Sequence, residues 1–504
     1  MSQSVSTAGA IVSIPFTQIP APWDVPGSRV EVAPSYQQVG VLPMPVRALI
    51  IGQMIPAGTA VAGVLYQNIV TAAQGTALGG AGSIIDGMVT AHLATNTSVP
   101  LDIICVADAV GAAKATWEAT FGGPATAAGT VAINIAGQRV TIGTMNGDTA
   151  TTAATEFAAA VNAMPGLPVI ANAFANVVEF ISKNGGLAGN DISFVVNPAP
   201  GDVLPPGLTV AIAPGVVGAT NPSIAAALAL VDTTWYCDIA APWQDVPNVS
   251  AMAAEATRRY NAMVRLDARM HVPQTGTLSQ QIAAAAAVNA PFVYQSPMTA
   301  PGSPPWTIAA AVAGVCAQRL NTDPSLQMNE IALPGIVGPL AANVPDDAEK
   351  EMLLVGGCSV FRVAANGTVT MQRYVSTYRT NAQGVADPAW FDVMEQAVSS
   401  RIRYDWQTYR QLIYPSNKLA PDGSLAAASD STVCTPVRLR GSWTARMMSY
   451  ARAGWIVNEV ADAARSVFEI DPNDPNRAIY QIYYTRIGNL FVDAGQLLFN
   501  VGGE

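Results

Sequence analysis

Two short apolar runs in the first quarter of the chain most constrain what it can fold into. They read VRALIIG at 46–52 and LDIICV at 101–106, and a proline precedes each. Runs of this length, rich in Val, Ile and Leu, are typical of strands buried in a parallel sheet. Helix-like patterns follow over 64–76 and from 111 to 120. The alternation predicts an α/β core in which helices flank a mainly parallel or mixed sheet.

The same alternation returns after residue 216. A helix with an Asn221-Pro222 start precedes the predicted strand 234–240, and 333–339 reads as a loop. The other predicted elements of this part are the helices 249–263 and 305–320, the strand 291–295, and a hairpin of 356–364 with 368–375. We assign 36–120 and 216–372 to one discontinuous α/β core.

Between these two parts, at about residue 121, the composition changes to a segment poor in charge and rich in Thr, Val, Ala and Gly. A hairpin is predicted for 129–135 and 138–142 across Ala136-Gly137. An Ala-rich helix is predicted over 149–163, with Asp148 as its cap. Further short strands are predicted at 169–171, 177–182 and 192–196. We expect 121–215 to be an inserted, β-rich α+β domain, since an insertion at a surface loop is structurally tolerated.

The last part of the chain, 373–504, reads as an α+β C-terminal domain with two long helices. The first is predicted to begin at Asp387-Pro388, because Asp is a good N-cap and Pro fits the first helical turn. Phe391, Met394, Val398 and Ile402 then recur at helical spacing. The second helix is predicted to begin at Thr435-Pro436 and to end near Gly454.

Charge is distributed unevenly along the chain. The stretch from Arg373 to Arg452 carries ten Lys/Arg and six Asp/Glu, which makes it +4, whereas the whole chain is −10. A positive module in an acidic protein indicates an acidic partner at that face, although ordinary solvated helix faces explain the pattern equally well. Direct nucleic-acid binding is disfavoured, because the arginines are spread over helices without interleaved stacking aromatics.

Both ends of the sequence have the character of arms. Residues 1–35 combine five prolines with large apolar side chains, which predicts an extended segment lying on a protein surface. At the other end, 479–485 predicts a strand, and 486–504 ends in an apolar run. An apolar terminal strand either pairs within its own domain or adds to a neighbour's sheet. The predicted inter-subunit contacts are Ile14, Phe16, Trp23, Val30, Leu497, Phe499 and Val501.

Membrane insertion and secretion find no support in the sequence. Half of the residues are hydrophobic and only 12% are charged, yet no apolar run approaches the roughly 20 residues of a spanning helix. The first ten residues lack the basic start of a signal peptide. The five cysteines are scattered without a CxxC pair, which is typical of buried free thiols in a reducing cytoplasm.

No catalytic, cofactor-binding or metal-binding pattern emerges. Gly79–Ser83 follows a strand and a helix, but it lacks both the Gly-Lys-Ser/Thr end of a phosphate loop and the GxGxxG pattern. The two histidines, His92 and His271, lack metal-ligand spacing, and we expect surface or interface positions for both. Asp471 and Asp474 lie in a Pro/Asn-rich segment that predicts a turn rather than a calcium loop.

Several motifs together resemble the Mu-like branch of contractile-phage tail sheath proteins. The C-terminal ones are YRTNAQGVADPAW at 378–390, YPSNKLAPDG at 414–423, TPVRLRG at 435–441 and DPNDPNR at 471–477. Those of the insertion run from 129 to 149 and over 189–192. Gly80–Ser83 and the Ile-Pro…Pro-Gly start of the chain fit the same family. The resemblance covers most of the chain in the expected order.

The resemblance implies a structural, non-enzymatic subunit without cofactors. Such proteins stack as six-fold rings around a tail tube, exchange strands through their terminal arms, and shorten to drive the tube through the host envelope. The implied partners are further copies of the chain, the tail tube protein, and baseplate and tail terminator proteins. The implied location is the virion tail, with assembly in the host cytoplasm. We expect Arg438, Arg440 and Arg446 to face an acidic tube.

Two alternatives stay open at this point. One is the sheath of a non-phage contractile system, such as a tailocin or a secretion device, which has the same sequence features. The other is a nucleotide-binding α/β enzyme, against which the absent phosphate loop argues.

Overall fold

The computed structural model describes residues 40–498, and everything below concerns the unit that begins at Pro43. It is a mixed α/β structure with several sheets, as predicted. The strands of the described part are β1 Ala48–Gln53, β2 Leu65–Ile69, β3 Leu101–Val106, β4 Thr116–Gly122, β5 Gly129–Ile135, β6 Gln138–Thr144, β7 Val169–Phe174, β8 Val177–Ser182, β9 Phe194–Val196, β10 Thr209–Pro214, β11 Asp238–Ala240, β12 Arg269–Gln274, β13 Val293–Pro297, β14 Ile331–Val337, β15 Val360–Val363, β16 Thr368–Arg373, β17 Lys418–Leu419, β18 Val433–Cys434, β19 Ile456–Val457, β20 Val467–Ile470, β21 Ala478–Gln481 and β22 Thr485–Arg486.

Helices connect and cover these strands. In the described part they are α1 Ala72–Gly79, α2 Ile84–Thr95, α3 Ala150–Asn162, α4 Ala225–Ala229, α5 Val246–Tyr260, α6 Leu278–Val288, α7 Pro305–Thr322, α8 Asp347–Val355, α9 Val393–Ile413, α10 Leu425–Ser429, α11 Pro436–Arg452 and α12 Glu459–Arg465.

The largest sheet has the strand order β13-β12-β11-β1-β3-β2. Its first five strands are parallel neighbours, and β2 pairs antiparallel with β3 at one edge. Every residue of β1 is buried, as the continuous apolar run at 46–52 predicted. Helices α2 and α7 pack on this sheet and on each other. A Cβ added at Gly314 of α7 would lie 2.2 Å from Thr95 Oγ1, so only glycine permits this close approach.

Two smaller sheets lie between β3 and β11 in the chain. One has the order β10-β4-β8-β7 and the other the order β6-β5-β9, and the hairpin of β5 and β6 forms at the predicted place. Helix α3 contributes Phe157 to their common core, 6.0 Å from the ring of Phe121 and 6.2 Å from that of Phe180. The β4–β8–β10 pairing begins at Thr116, five residues before the boundary at 121, and the division into domains stays a prediction.

Of the two helices predicted in the first α/β unit, the first is correct only from Ala72 onward and the second is wrong. The segment 64–76 contains β2, after which Thr71 caps α1 through a reciprocal capping box with Gln74. The segment 111–120 leads into β4, in which Trp117, Ala119 and Phe121 are buried in strict alternation. That period of two is the signal of a half-buried strand.

Three further assignments need correction. The predicted loop 333–339 overlaps β14, whose pairing with β16 is irregular around Pro334-Gly335. Thr149, and not Asp148, caps α3: its hydroxyl accepts from the Thr152 amide, whereas Asp148 accepts from Met145. The predicted strand 479–485 is two short strands, β21 and β22, in different sheets.

The first long C-terminal helix begins later than predicted. Asp387 accepts a hydrogen bond from the Ala389 amide in a local turn, and α9 begins at Val393. Val375 and Asp392 form an isolated bridge that keeps the chain extended up to the helix. Thr435, by contrast, caps α11 with Pro436 in its first turn, as predicted.

Candidate functional site

Helix α9 is joined to the parallel sheet by a buried polar network. Arg269 of β12 donates two hydrogen bonds, of 2.8 and 2.7 Å, to Asp238 of β11. His271 Nε2 lies 2.9 Å from the same carboxylate, and its Nδ1 lies 2.9 Å from the Tyr374 hydroxyl. Arg269 also donates to Gln396 of α9 at 3.1 Å. All five side chains are buried. The network fixes the C-terminal helices on the sheet, because each charge would be costly without its partners.

The electrostatics of this network follow from its burial. Burial by itself raises the pKa of Asp238, but the adjacent Arg269 and His271 outweigh it and lower that pKa to about 2. Burial lowers the pKa of His271. Burial also lowers the pKa of His92 to about 4, and the ring of His92 is held by Ala310 O and Asn96 Nδ2. The prediction of surface or interface positions for both histidines is therefore wrong. Each fills an interior polar position.

The three arginines that were predicted to face an acidic tube have different surroundings. Arg446 of α11 is buried, and its guanidinium donates to Asp405 of α9 at 2.6 Å. Tyr450 donates to the same carboxylate at 2.5 Å. A tube-facing role is wrong for Arg446, because it neutralises a buried acid between the two helices.

Arg438 and Arg440 are both exposed on α11. Arg438 donates to main-chain carbonyls of the preceding segment, Ala427 O in helix α10 at 3.3 Å and Ser431 O in the turn after it at 3.2 Å. It holds the segment that leads into the helix. Arg440, the third of these arginines, presents its charge to solvent.

The chain from Arg486 onward forms a terminal segment with two anchors and an exposed apolar end. Arg486 forms an ion pair with Glu395 in the first turn of α9. Burial raises the pKa of Glu395 to about 7, although Arg486 opposes the shift. Phe491 lies against Arg373, with 4.2 Å from the guanidinium carbon to the ring centroid. Arg373 is in turn ion-paired with Asp392 at 2.9 Å.

The described residues 487–498, which include the anchor Phe491, belong to no strand or helix. Four large apolar side chains of this segment are exposed: Leu490 by 74%, Val492 by 78%, Leu497 by 94% and Leu498 by 77%. So much apolar surface on a short extended segment indicates an interaction surface. Leu497 was predicted to make such a contact. The other predicted arm residues, Ile14, Phe16, Trp23, Val30, Phe499 and Val501, lie outside the described residues.

The anchors were not found from the sequence. Glu395 and Arg486 are 91 positions apart, so no local spacing links them. In the sequence, Arg373 contributes only to the positive charge of 373–452. Phe491 precedes the apolar run that ends 486–504.

The crevice in which α/β proteins commonly bind ligands is filled. It lies outside the carboxyl ends of β1 and β11, where the strand order reverses. Gln53 at the end of β1 donates to Asp108 at 2.7 Å and to Gly185 O at 2.7 Å, and it accepts from Trp243. Asn184 and the Gly185 amide also donate to Asp108. The polar groups of the crevice are therefore hydrogen-bonded to side chains and backbone of the chain itself.

The backbone amides of the glycine-rich segment before α2 are also hydrogen-bonded within the chain. Ser83 caps the helix, the Gly82 amide donates to Asp86 at 2.8 Å, and the Ile84 amide donates to Asn184 at 3.0 Å. A carboxylate at this position repels phosphate, which agrees with rejection of a phosphate loop.

Within residues 40–498 there is no cluster of His, Cys, Asp or Glu that could hold a metal ion. Over the same range, none of the helices has the length and apolarity needed to cross a membrane. Asp471 and Asp474 accept from Asn473 and Asn476 amides, which confirms the predicted turn.

Comparison with known proteins finds similarity to tail sheath proteins. No family model matches the chain. A curated protein that the chain resembles in sequence is a prophage tail sheath protein, which confirms the resemblance read from the motifs. That relative is the Mu-like prophage FluMu tail sheath protein of Haemophilus influenzae, 27% identical over 469 residues, which are 92% of this chain and 95% of the relative.

Similar solved structures include two sheath tail proteins. The one from Desulfitobacterium hafniense has a TM-score of 0.46 and 14% identity, covering 92% of this chain and 100% of that one. The one from Listeria innocua has a TM-score of 0.44 and 12% identity, covering 88% and 96%. A chain of the anti-feeding prophage baseplate has a TM-score of 0.42 and 11% identity, covering 95% and 99%.

Proposed function

We propose that this chain is a structural subunit of a contractile phage tail sheath and not an enzyme. Its copies polymerise as stacked hexameric rings around a tail tube, and contraction drives the tube through the host envelope for genome ejection. The sequence similarity to a prophage tail sheath protein over nearly the whole of both chains supports this function, and favours a phage over another contractile system.

The observation that carries the proposal is the terminal segment. Residues 487–498 are held by two anchors, Arg486–Glu395 and Phe491–Arg373, and expose apolar side chains around and after them. A segment of this kind is suited to add to the sheet of a neighbouring copy, where main-chain hydrogen bonds supply affinity and alternate side chains supply specificity. Each such hydrogen bond contributes about 1 kcal/mol net, but a lattice repeats it in every subunit.

The partners follow from the same function. They are further copies of the chain, the tail tube protein, and baseplate and tail terminator proteins, with the virion tail as the final location and the host cytoplasm as the site of assembly. Exposed Arg438 and Arg440 are the candidates for contact with an acidic tube.

Negative-stain electron microscopy of the purified full chain, with and without residues 486–504, tests the proposal. We expect the full chain to form tubes or rings about a six-fold axis. The truncated chain should keep the circular dichroism spectrum of the full chain but stay monomeric. A full chain that remains a monomer at high concentration would refute the proposed function, and normal assemblies from the truncated chain would refute the role of the segment.

A further inference from the structure

A cavity of about 470 Å³ lies where helix α9 meets strand β21 and the loop before β12. Its lining includes Arg265, Arg410, Gln407 and Tyr480. A second cavity of about 270 Å³ shares Arg265, Gln407 and Gln411 with the first. The two cavities therefore form one groove along α9, called the α9 groove below.

Arg410 is held in the α9 groove without an acidic partner. Its guanidinium carbon lies 5.4 Å from the ring centroid of Tyr480 and 5.9 Å from that of Trp406. Its Nε is buried and finds no hydrogen-bond acceptor within residues 40–498. Among the ion pairs of that part of the chain, none involves Arg410 or Arg265. The acid in the lining of the groove, Asp267, is ion-paired with Arg403. Arg410, beside its two aromatic rings, and Arg265 therefore form a pair of cations without an anion.

Arg265 is positioned in the α9 groove by a strained backbone. Its φ is +59°, a left-handed conformation that is uncommon for a residue with a long side chain. The Arg265 amide donates to Asn261 O at 2.9 Å, and the Leu266 amide donates to Arg259 O at 3.0 Å. Because such strain persists at sites where a side chain must be placed for function, it is a second indication of a binding site.

The same chain displays a helix that complements the α9 groove. Helix α8 buries Leu353 against its own core and turns Asp347, Glu351, Met352 and Val355 toward solvent. The side chain of Asp347 is 95% exposed and pairs within the helix with Lys350 at 3.1 Å, an exposed contact that an arginine partner buried in the interface can replace. Met352 and Val355 are 51% and 66% exposed. Asp347, Glu351 and Val355 follow one another at i,i+4 spacing and share one face of the helix, and Met352 lies at the side of that face.

We infer that helix α8 of a second copy of this chain docks in the α9 groove. The carboxylates of Asp347 and Glu351 pair with Arg265 and Arg410, and Met352 packs against the ring of Tyr480, a contact that thioethers make favourably. The inference rests on the proposed function, to which it adds a subunit contact separate from the terminal segment. The acidic net charge of the chain makes a second copy a suitable supplier of the missing anions.

This contact has a consequence for symmetry. The α9 groove and helix α8 are different surfaces, so a pair joined in this way leaves one groove and one helix unused. Such heterologous contacts continue from copy to copy and produce rings or helical polymers rather than closed two-fold dimers.

Charge reversal tests the inference. We expect Arg265→Glu with Arg410→Glu to raise the concentration needed for assembly of the full chain by about tenfold or more, measured by sedimentation velocity. Arg452→Glu is the matched control, since Arg452 is an exposed arginine of α11 outside the groove, and it should change this concentration less than twofold. Arg265→Glu alone guards against misfolding, because Arg265 is exposed and its reversal should leave the circular dichroism melt unchanged.

A charge swap identifies the occupant. The chain that carries Asp347→Lys and Glu351→Lys should also assemble poorly. Combining these changes with the groove reversals should restore assembly to within about threefold of the natural chain. If the helix variant assembles normally while the groove variant fails, the occupant is another acidic partner and the inference is wrong.

Cross-linking gives an independent readout. The five native cysteines are buried, so Glu351→Cys and Gln407→Cys introduce the accessible thiols. Two single variants, mixed and oxidised, should form a disulfide-linked dimer that neither forms alone. Absence of that dimer from assembled material would overturn the inference and leave the proposed function intact. A natural chain that never assembles would instead refute both.

Discussion

The guanidinium carbon of Arg373 lies 4.2 Å from the ring centroid of Phe491 and 4.6 Å from that of Phe391, so that this arginine is shared between the terminal segment and the chain before α9. Its ion pair with Asp392 fixes its orientation. This contact is one of the two anchors of the terminal segment, and it depends on the ring of Phe491.

Phe491→Ala should loosen the terminal segment without unfolding the protein. The lost contact stabilises the segment by about 0.5–2 kcal/mol, the range of cation–π interactions. We expect amides of 487–498 to exchange hydrogen several-fold faster, measured by mass spectrometry. Leu490→Ala is the control, because Leu490 is 74% exposed. Equal exchange in both variants would show that Phe491 does not anchor the segment.

Arg446→Ala should destabilise the C-terminal helices strongly. It leaves the buried carboxylate of Asp405 without its main partner, and breaking a buried pair costs about 3–5 kcal/mol. Urea denaturation measures the loss. Arg440→Ala, on the exposed face of the same helix, should change the free energy of unfolding by no more than about 0.5 kcal/mol. Similar effects of the two substitutions would contradict the burial of Arg446.

Glu395→Gln should change how stability depends on pH. The folded pKa of Glu395 is raised to about 7 from 4.5, so the folded state holds a proton that the unfolded state releases between these values. Wild-type stability therefore falls with rising pH across that window through this group. The lowered pKa of His92 acts in the opposite direction, so only the difference between wild type and variant isolates Glu395.

We expect this difference in unfolding free energy to change by about 1–3 kcal/mol from pH 4.5 to pH 7. Thermal or urea unfolding at several pH values measures it. A constant difference across the window would mean that Glu395 titrates normally.

Leu497→Asp with Leu498→Asp should block assembly while the fold is kept. The two side chains are 94% and 77% exposed, so a monomer gains nothing from them, whereas an apolar interface excludes charge. Size-exclusion chromatography and electron microscopy give the result. Val110→Asp is the control at another fully exposed apolar position. If the double variant forms tubes, Leu497 and Leu498 do not lie in the interface.

Arg440→Glu should weaken assembly on a tail tube but not the folding of the chain. Arg440 is exposed, and reversal of one charge at a contact mainly slows association and changes its salt dependence. Co-sedimentation with the purified tube protein at two salt concentrations measures the effect. Arg477→Glu, at an arginine exposed by 67%, is the comparison. Unchanged binding at low salt would exclude Arg440 from the tube contact.

The sequence predicted elements best where one local pattern dominated. The continuous apolar runs gave β1 and β3, and Thr435-Pro436 marked the start of α11. Errors arose where partners distant in sequence decide the conformation. The segment 64–76 has helical composition, but Leu65–Ile69 becomes a strand because it completes the edge of the sheet beside β3.

The candidate site shows the same limit. The apolar character of the C-terminal end can be predicted from the sequence, and Leu497 is indeed exposed. The burial of Arg446 cannot be predicted in this way, because its partner Asp405 lies 41 residues earlier on another helix. The sequence of a helix with several arginines does not show which of them is exposed and which is paired with a buried acid. The two histidines, judged on spacing alone, were misplaced for the same reason.

Asn184 and Gly185 fill the crevice at the carboxyl ends of β1 and β11. Their position affects how the sheet can move. A parallel sheet with that cleft open can hinge around a guest molecule. Here the cleft is closed from within by residues that belong to a different layer of the same subunit. The segment between β3 and β11 is therefore tied to the central strands by buried hydrogen bonds, and in the proposed sheath the two would move together as one stiff body.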